Sequence, residues 1–272
     1  MKRIEEILDI NWYKNLFLSL LSLPKDKEEL ILKSFKKYID NLNNLENLKP
    51  IDIDENTKKI MKKVFNKSPK PNELINYKND LKSKNKIYIC PYCGIKSLEE
   101  WYPIEHYLPK SKFSEYTLFW LNLFICCERC NSSLKRDKWE EWNRLFLNPY
   151  IDKVYDKEFI WMVVEKTNDK YKFSFELIEK NLESHEITLL KNHFKTFKLI
   201  SRLDDIVSNY VDELLDEIKN NINNKALLSK LKEDYQKKLD KMWLNSVRPV
   251  IVKYFINNMD VLKDIYLYKN KS

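Results

Sequence analysis

The sequence predicts an α+β protein that is predominantly α-helical, with a small central module between N-terminal and C-terminal helical regions. Long segments at both ends carry apolar residues at helical spacing. Strings rich in β-branched and aromatic residues occur in the middle of the chain. Two Cys-x-x-Cys pairs, Cys90/Cys93 and Cys127/Cys130, bracket the first of these strings and mark the central module.

The N-terminal region is predicted to consist of helices. Residues 3–22 show helical spacing that Pro24 ends, and a second amphipathic run ends before Pro50. Residues 55–67 and 72–83 read as two shorter, lysine-rich helices that SPKP separates. Their lysines fit either a solvated helix face, which we favour, or a track for nucleic acid: Lys58, Lys59, Lys62 and Lys63.

The pattern changes after Lys86, where the short β-type string IYIC leads directly into PYCG. This is the form of a zinc knuckle, a tight turn that directs backbone N–H groups at thiolates. The residue after the second cysteine of such a turn often needs a positive φ, which glycine adopts without strain. Gly94, the only glycine in the chain, stands at this position.

The segment WYPIEHYLPKSKF predicts a strand, a loop held by Pro103 and Pro109, and a return before the end of the string at Phe113. The next string, EYTLFWLNLFICC, has the apolar density of a buried segment. CERCNSSLKRDKWEEW then predicts a helix that starts at or near the second cysteine pair. The expected order is therefore hairpin, then helix, with a metal site at the base.

Beyond Pro149, EFIWMVVEK and YKFSFELI flank the polar turn TNDK and predict a β-hairpin. Strongly helical stretches follow from about His185 to the end of the chain. We therefore divide the chain into an N-terminal helical region at 1–86, a central zinc-containing module at 87–150, and a hairpin with C-terminal helices at 151–272.

Composition indicates a globular protein, because 43% of the 272 residues are hydrophobic and 13% are aromatic. The net charge of +8 is compatible with a phosphate-bearing partner. A lysine- and asparagine-rich compositional bias explains the same excess of positive charge, and both interpretations stay open.

The N-terminus lacks the apolar run of a signal peptide, and no stretch has the apolar length of a membrane span, so we expect a cytoplasmic protein.

Four thiolates from two close pairs satisfy a closed tetrahedral zinc site, in which no coordination position remains for substrate. We therefore predict that Cys90, Cys93, Cys127 and Cys130 bind a structural zinc ion. Cys126 is the alternative third ligand. We choose Cys127 because it forms the x-x spacing with Cys130, and we assign Cys126 as a small buried side chain.

CPYCG, EHYLPK and NL followed by CERCN together resemble the HNH, or ββα-metal, endonuclease motif of the zinc-containing subgroup. The resemblance implies that His106 is the general base, that Asn122 is the middle residue that shapes the site, and that Glu105 and Asn131 bind a catalytic divalent cation. Oxygen ligands of this type suit Mg²⁺ or Mn²⁺. We assign the other two histidines, His185 and His193, as structural.

Five basic residues flank this motif and are candidate phosphate contacts: Lys110, Lys112, Lys135, Arg136 and Lys138. The family helix commonly reads CNxxK, whereas CNSSLK places Lys135 one residue later. Over more of the chain, the PtuB-type HNH subunits of Septu antiphage systems are similar in EHYLPKSKF, in the closely following WLNL and CERCN, and in NPYID, which leads into the hairpin and helices. That resemblance implies a DNA-cleaving defence nuclease that works with an ABC-type or SMC-like ATPase partner.

Two alternatives remain open. The same site can act on RNA, such as tRNA, as the effector of a retron-type system. The chain can also be a zinc-ribbon module that binds nucleic acid or protein without catalysis. The presence of all three catalytic residue types at matching places favours the nuclease.

Overall fold

The computed structural model describes residues 23–66, 89–95, 103–168, 170–219, 227–241 and 244–269. These residues are mostly helical and form two small antiparallel sheets, which confirms the α+β, predominantly α prediction. The α-helices are α1 (Lys25–Asp40), α2 (Glu55–Asn66), α3 (Ser184–Phe197), α4 (Leu199–Ile218), α5 (Leu227–Lys241), α6 (Val247–Asn257) and α7 (Met259–Lys269).

The described part of the N-terminal region confirms two predicted helices. α1 buries Ile31, Phe35 and Tyr38 along one face, as its amphipathic pattern requires. α2 begins after Asp54, whose carboxylate accepts hydrogen bonds from the Thr57 backbone N–H and side chain. The helices predicted at 3–22 and 72–83 lie outside the described residues, as do the first two residues of the IYIC string.

Contacts divide the described residues into two units, the first of which comprises residues 23–66 and 103–152. Its core is aromatic: the Phe119 ring stacks on Phe35 at 4.4 Å between centroids and packs edge-on against Tyr38 at 5.0 Å. The Tyr38 hydroxyl donates to the Leu121 carbonyl at 3.2 Å. These contacts pack α1 against the buried segment predicted from EYTLFWLNLF.

Strands β1 (Ile104–His106) and β2 (Leu123–Ile125) form the small sheet of this unit. They pair antiparallel, with Glu105 opposite Phe124 and His106 opposite Leu123. The predicted return before Phe113 is therefore wrong. The chain turns at Pro109, whose carbonyl accepts from Lys112 and Phe113, and two short 3-10 turns follow before β2.

The second unit comprises residues 89–95 and the described residues from 153 onwards. Strands β3 (Ile160–Thr167) and β4 (Lys170–Leu177) pair antiparallel along their whole length and confirm the predicted hairpin. α4 packs against β4, and α6 packs against β3. The five helices after the hairpin confirm the predicted C-terminal helical region.

The units divide the chain differently from the three predicted regions. Residues 103–150 cluster with the N-terminal helices, whereas the first cysteine pair clusters with the C-terminal region. In the part of the chain that the structure describes, no helix combines the length and apolarity that crossing a membrane requires.

Candidate functional site

Cys90, Cys93, Cys127 and Cys130 form a cluster of buried thiols whose sulfur atoms all lie within 4.8 Å of one another. None of the four forms a disulfide. A tetrahedral zinc site with Zn–S bonds near 2.3 Å places its sulfur atoms about 3.8 Å apart. The cluster can therefore hold a zinc ion, and it contains Cys127 rather than Cys126.

The turn at the first cysteine pair has the geometry that the position of Gly94 predicts. Gly94 has φ +67°, and its N–H donates to the Cys90 carbonyl at 2.8 Å. A Cβ atom at this position would lie 2.9 Å from the Asn245 carbonyl oxygen, closer than side-chain carbons approach backbone. Both the backbone angle and the close contact with Asn245 require glycine.

His193 supports the same turn, a role that the sequence does not reveal. Its Nε2 lies 2.7 Å from the Tyr92 carbonyl oxygen, and the Tyr92 ring stacks on Phe197 at 4.4 Å. Burial lowers the pKa of His193 to about 3, so the neutral ring donates to the carbonyl at physiological pH. His193 is structural, as predicted, but its partner is 101 positions away in sequence, which periodicity cannot show.

The second cysteine pair opens a short helical segment, not the longer helix that the sequence suggested. Residues Arg129–Lys135 form π-helical turns, in which the Arg136 N–H donates to the Asn131 carbonyl at 2.8 Å. The segment ends at Arg136, which has φ +52°. Because a π-turn closes i to i+5 bonds, it accommodates the extra residue between Asn131 and Lys135.

Lys135 is fully buried, and its ammonium group forms an ion pair with the Glu105 carboxylate on β1. The same Nζ donates to the His106 carbonyl at 2.7 Å and lies 5.0 Å from the centre of the Phe146 ring. Burial raises the pKa of Glu105 to about 7, while the positive charge of Lys135 acts in the opposite direction. Lys135 therefore presents no exposed surface to a phosphate, in contrast to its predicted role as a phosphate contact.

His106 lies on the other face of β1, because successive strand residues point to opposite faces. Its side chain packs against Phe65 of α2, with ring centroids 4.6 Å apart, and only 7% of the residue is exposed. Nε2 lies 2.9 Å from the Thr117 carbonyl, which can only accept. Nε2 therefore carries a hydrogen and donates it to this carbonyl.

The two asparagines have different surroundings. Asn122 is fully buried; its side chain accepts from the Leu108 N–H at 2.7 Å and donates to the Leu108 and Tyr116 carbonyls. These bonds fix the loop that joins β1 to β2. Asn131 is half-buried, and its side-chain amide donates to the Ile104 carbonyl at 3.4 Å.

Asn131 contacts the Ile104 carbonyl at the start of β1, and Glu105 is the next residue of that strand; both side chains carry oxygen atoms that can bind a cation. Such donors fit Mg²⁺ or Mn²⁺, which typically use one or two carboxylates and complete their shell with water and substrate phosphate oxygens. A cation at Glu105 competes with the Lys135 ammonium for the carboxylate. The structure does not place Glu105 and His106 on one face.

The remaining predicted phosphate contacts lie at the surface of the same unit. Lys112, Arg136 and Lys138 are exposed, and Lys110 is half-buried. The Lys112 ammonium donates to the Trp139 carbonyl at 3.3 Å. Their roles in binding stay predictions, as do the catalytic roles of the motif residues.

Comparison of the chain with models of protein families, with curated proteins and with solved structures gives no match. The HNH resemblance therefore depends on the motif residues alone and stays a prediction. What the structure establishes is the four-cysteine cluster and the packing of the motif residues around β1 and β2.

Proposed function

We propose that this protein is a metal-dependent endonuclease of the HNH type that hydrolyses phosphodiester bonds in DNA. The observation that supports the proposal best is the arrangement of the motif, in which an antiparallel strand pair leads directly into a helical segment that carries Asn131. The succession of two strands and a helical segment is the expected ββα order.

In the proposed mechanism, each motif residue has a separate task. His106 accepts a proton from the attacking water as the general base, while the hydrogen bond between Nε2 and the Thr117 carbonyl orients the ring. Asn122 holds the loop after β1 in place. Glu105 and Asn131 would hold a divalent cation, which supplies positive charge for the phosphorane and the leaving oxygen.

The cysteine cluster supports this site locally. Asn131 directly follows Cys130, and its N–H donates to the Cys127 carbonyl at 3.0 Å. A zinc ion bound to both thiolates would fix the start of the helical segment, and with it Asn131. The zinc is structural in this proposal because four thiolates leave no open coordination position.

A non-catalytic zinc-ribbon module is the second candidate, and two observations favour it. Glu105 is already neutralised by Lys135, and only 7% of His106 is exposed. For the nuclease to act, a cation must displace the ammonium from Glu105, or share the carboxylate with it, and His106 must become accessible to water.

A cleavage assay separates these candidates. Zinc-loaded protein is incubated with labelled DNA and with RNA of the same sequence, with and without Mg²⁺ or Mn²⁺. We expect cleavage of DNA that requires the divalent cation. Cleavage of RNA alone would point to an RNA-directed effector, and binding without cleavage of either would support the non-catalytic module.

We also propose, from the Septu resemblance, that an ABC-type or SMC-like ATPase controls the nuclease. Co-expression with an ATPase encoded next to this protein, followed by affinity purification, tests that part. We expect a stable complex and a change in cleavage rate when the partner is added. Two proteins that purify separately and leave the rate unchanged would refute it.

A further inference from the structure

The His106 face of β1 borders α2, which belongs to the N-terminal helical region. Phe65 near the end of α2 is 7% exposed, and its ring packs against the His106 imidazole. The ammonium group of Lys110 lies over the same ring, 4.8 Å from its centre. The Phe65 ring is therefore a shared contact of the candidate general base and a lysine from the loop after β1.

Lys62 extends this arrangement. It precedes Phe65 by three positions on α2, so the two side chains lie on the same face of the helix. Burial lowers the pKa of Lys110, and the positive charge of Lys62 lowers it further. The carboxylates of Asp137 and Glu105 act on Lys110 in the opposite direction, but each more weakly than Lys62. The position of Lys62 on the Phe65 face of α2 and the position of Lys110 over the Phe65 ring place both lysines beside the same side chain.

Within the ranges that the structure describes, neither Lys62 nor Lys110 forms an ion pair with a carboxylate. Lys58, one turn earlier on α2, differs because it pairs with Glu55 at 2.8 Å. Two lysines that lie beside one buried ring, one of them half-buried, form a favourable place for an anion. An anion bound there is attracted by both positive charges.

We propose that Lys62 and Lys110 together bind one backbone phosphate of the nucleic acid, so that α2 forms part of the substrate surface beside His106. The proposal rests on the proposed nuclease function, which supplies the polyanion. Contacts between lysines and phosphates position a nucleic acid without reading its sequence. The N-terminal helical region then contributes directly to substrate binding, and Lys62 is not only part of a solvated helix face.

Binding can be measured apart from cleavage, by fluorescence anisotropy of labelled DNA in buffer that contains zinc but neither Mg²⁺ nor Mn²⁺. The variants are Lys62→Gln, Lys110→Gln and the double variant. Lys36→Gln is the matched control, because Lys36 is an exposed lysine of α1 in the same unit. Thermal unfolding of each variant checks that the fold is retained.

We expect both single variants to weaken binding about threefold or more, and Lys36→Gln to leave it unchanged. The logarithm of the binding constant falls linearly with the logarithm of the salt concentration, and each phosphate contact contributes about −0.9 to the slope. Because both lysines contact one phosphate, the slope of the double variant should be shallower than that of wild type by about 0.9 in total. Variants that bind like Lys36→Gln would overturn the phosphate site while the nuclease stands. Wild-type protein that neither binds nor cleaves nucleic acid would overturn the proposed function as well.

Discussion

Replacing Lys135 by methionine removes one charge of the buried ion pair and keeps most of the side-chain volume. Glu105 is then left buried without its counter-charge, since both side chains are almost fully enclosed. Breaking a buried pair in this way costs about 3–5 kcal/mol. The His106 carbonyl also loses its hydrogen bond from Nζ, which adds about 1 kcal/mol. We therefore expect Lys135→Met to reduce the free energy of unfolding by about 4–6 kcal/mol.

A double-mutant cycle isolates the pair from these other contacts. Glu105→Gln alone leaves Lys135 as an unpaired buried cation and should be similarly destabilising. The double variant buries no charge, so its cost should be smaller than the sum of the two single costs by at least about 2 kcal/mol. The free energies of unfolding are measured by urea titration, with tryptophan fluorescence as the signal, in zinc-containing buffer without added Mg²⁺ or Mn²⁺.

Lys138→Met is the control, because Lys138 is exposed and near the same segment. It should change the free energy of unfolding by no more than about 0.5 kcal/mol. A Lys135→Met protein within about 1 kcal/mol of wild type, or single costs that simply add, would refute the reasoning. Lys135 would then be solvated in solution and open to phosphate contact.

Two further predictions concern the zinc ligands and a buried carboxyl group. Cys127→Ser should lose the bound zinc while Cys126→Ser keeps it, as measured by mass spectrometry of the metal content; equal zinc in both would refute the assignment. Burial raises the pKa of Glu115 from 4.5 to about 7, so between these pH values the folded state holds a proton that the unfolded state has lost. The contribution of Glu115 to the free energy of unfolding therefore falls as the pH rises from 4.5 towards 7. Glu115→Gln keeps an acceptor for the Ile51 N–H but does not titrate. In urea unfolding, the free energy of unfolding of the variant relative to wild type should rise by about 1.5 kcal/mol from pH 5.5 to pH 7, and a difference that stays constant would contradict this.

The sequence predicts the parts of this fold that depend on local pattern. The hairpin around TNDK, the helices after it and the positive φ of Gly94 all follow from residue type and spacing. The choice of Cys127 over Cys126 follows from the x-x spacing and agrees with the cluster. In each case the physical cause lies within a few residues of the feature.

Features that depend on distant partners are not visible in the sequence. The string CNSSLKRDKW looks like a solvated basic helix, yet Lys135 is buried because a strand residue 30 positions earlier supplies its counter-charge. Phe65 lies in a lysine-rich helix, and nothing local shows that its ring packs against His106. The loop between β1 and β2 is longer than predicted, and its Phe119 ring stacks on Phe35 of α1, a contact that local turn residues do not show.

The most direct test of the proposed nuclease is the cleavage rate of a His106→Ala variant under single-turnover conditions, with Mg²⁺ or Mn²⁺ and any ATPase partner present. His185→Ala is the matched control, since the side chain of His185 is 75% exposed in the other unit. Loss of a general base lowers a rate by about 10²–10⁴-fold, so we expect a reduction of at least 100-fold for His106→Ala and none for His185→Ala. Equal rates for the two variants, or no cleavage by wild type, would contradict the proposal.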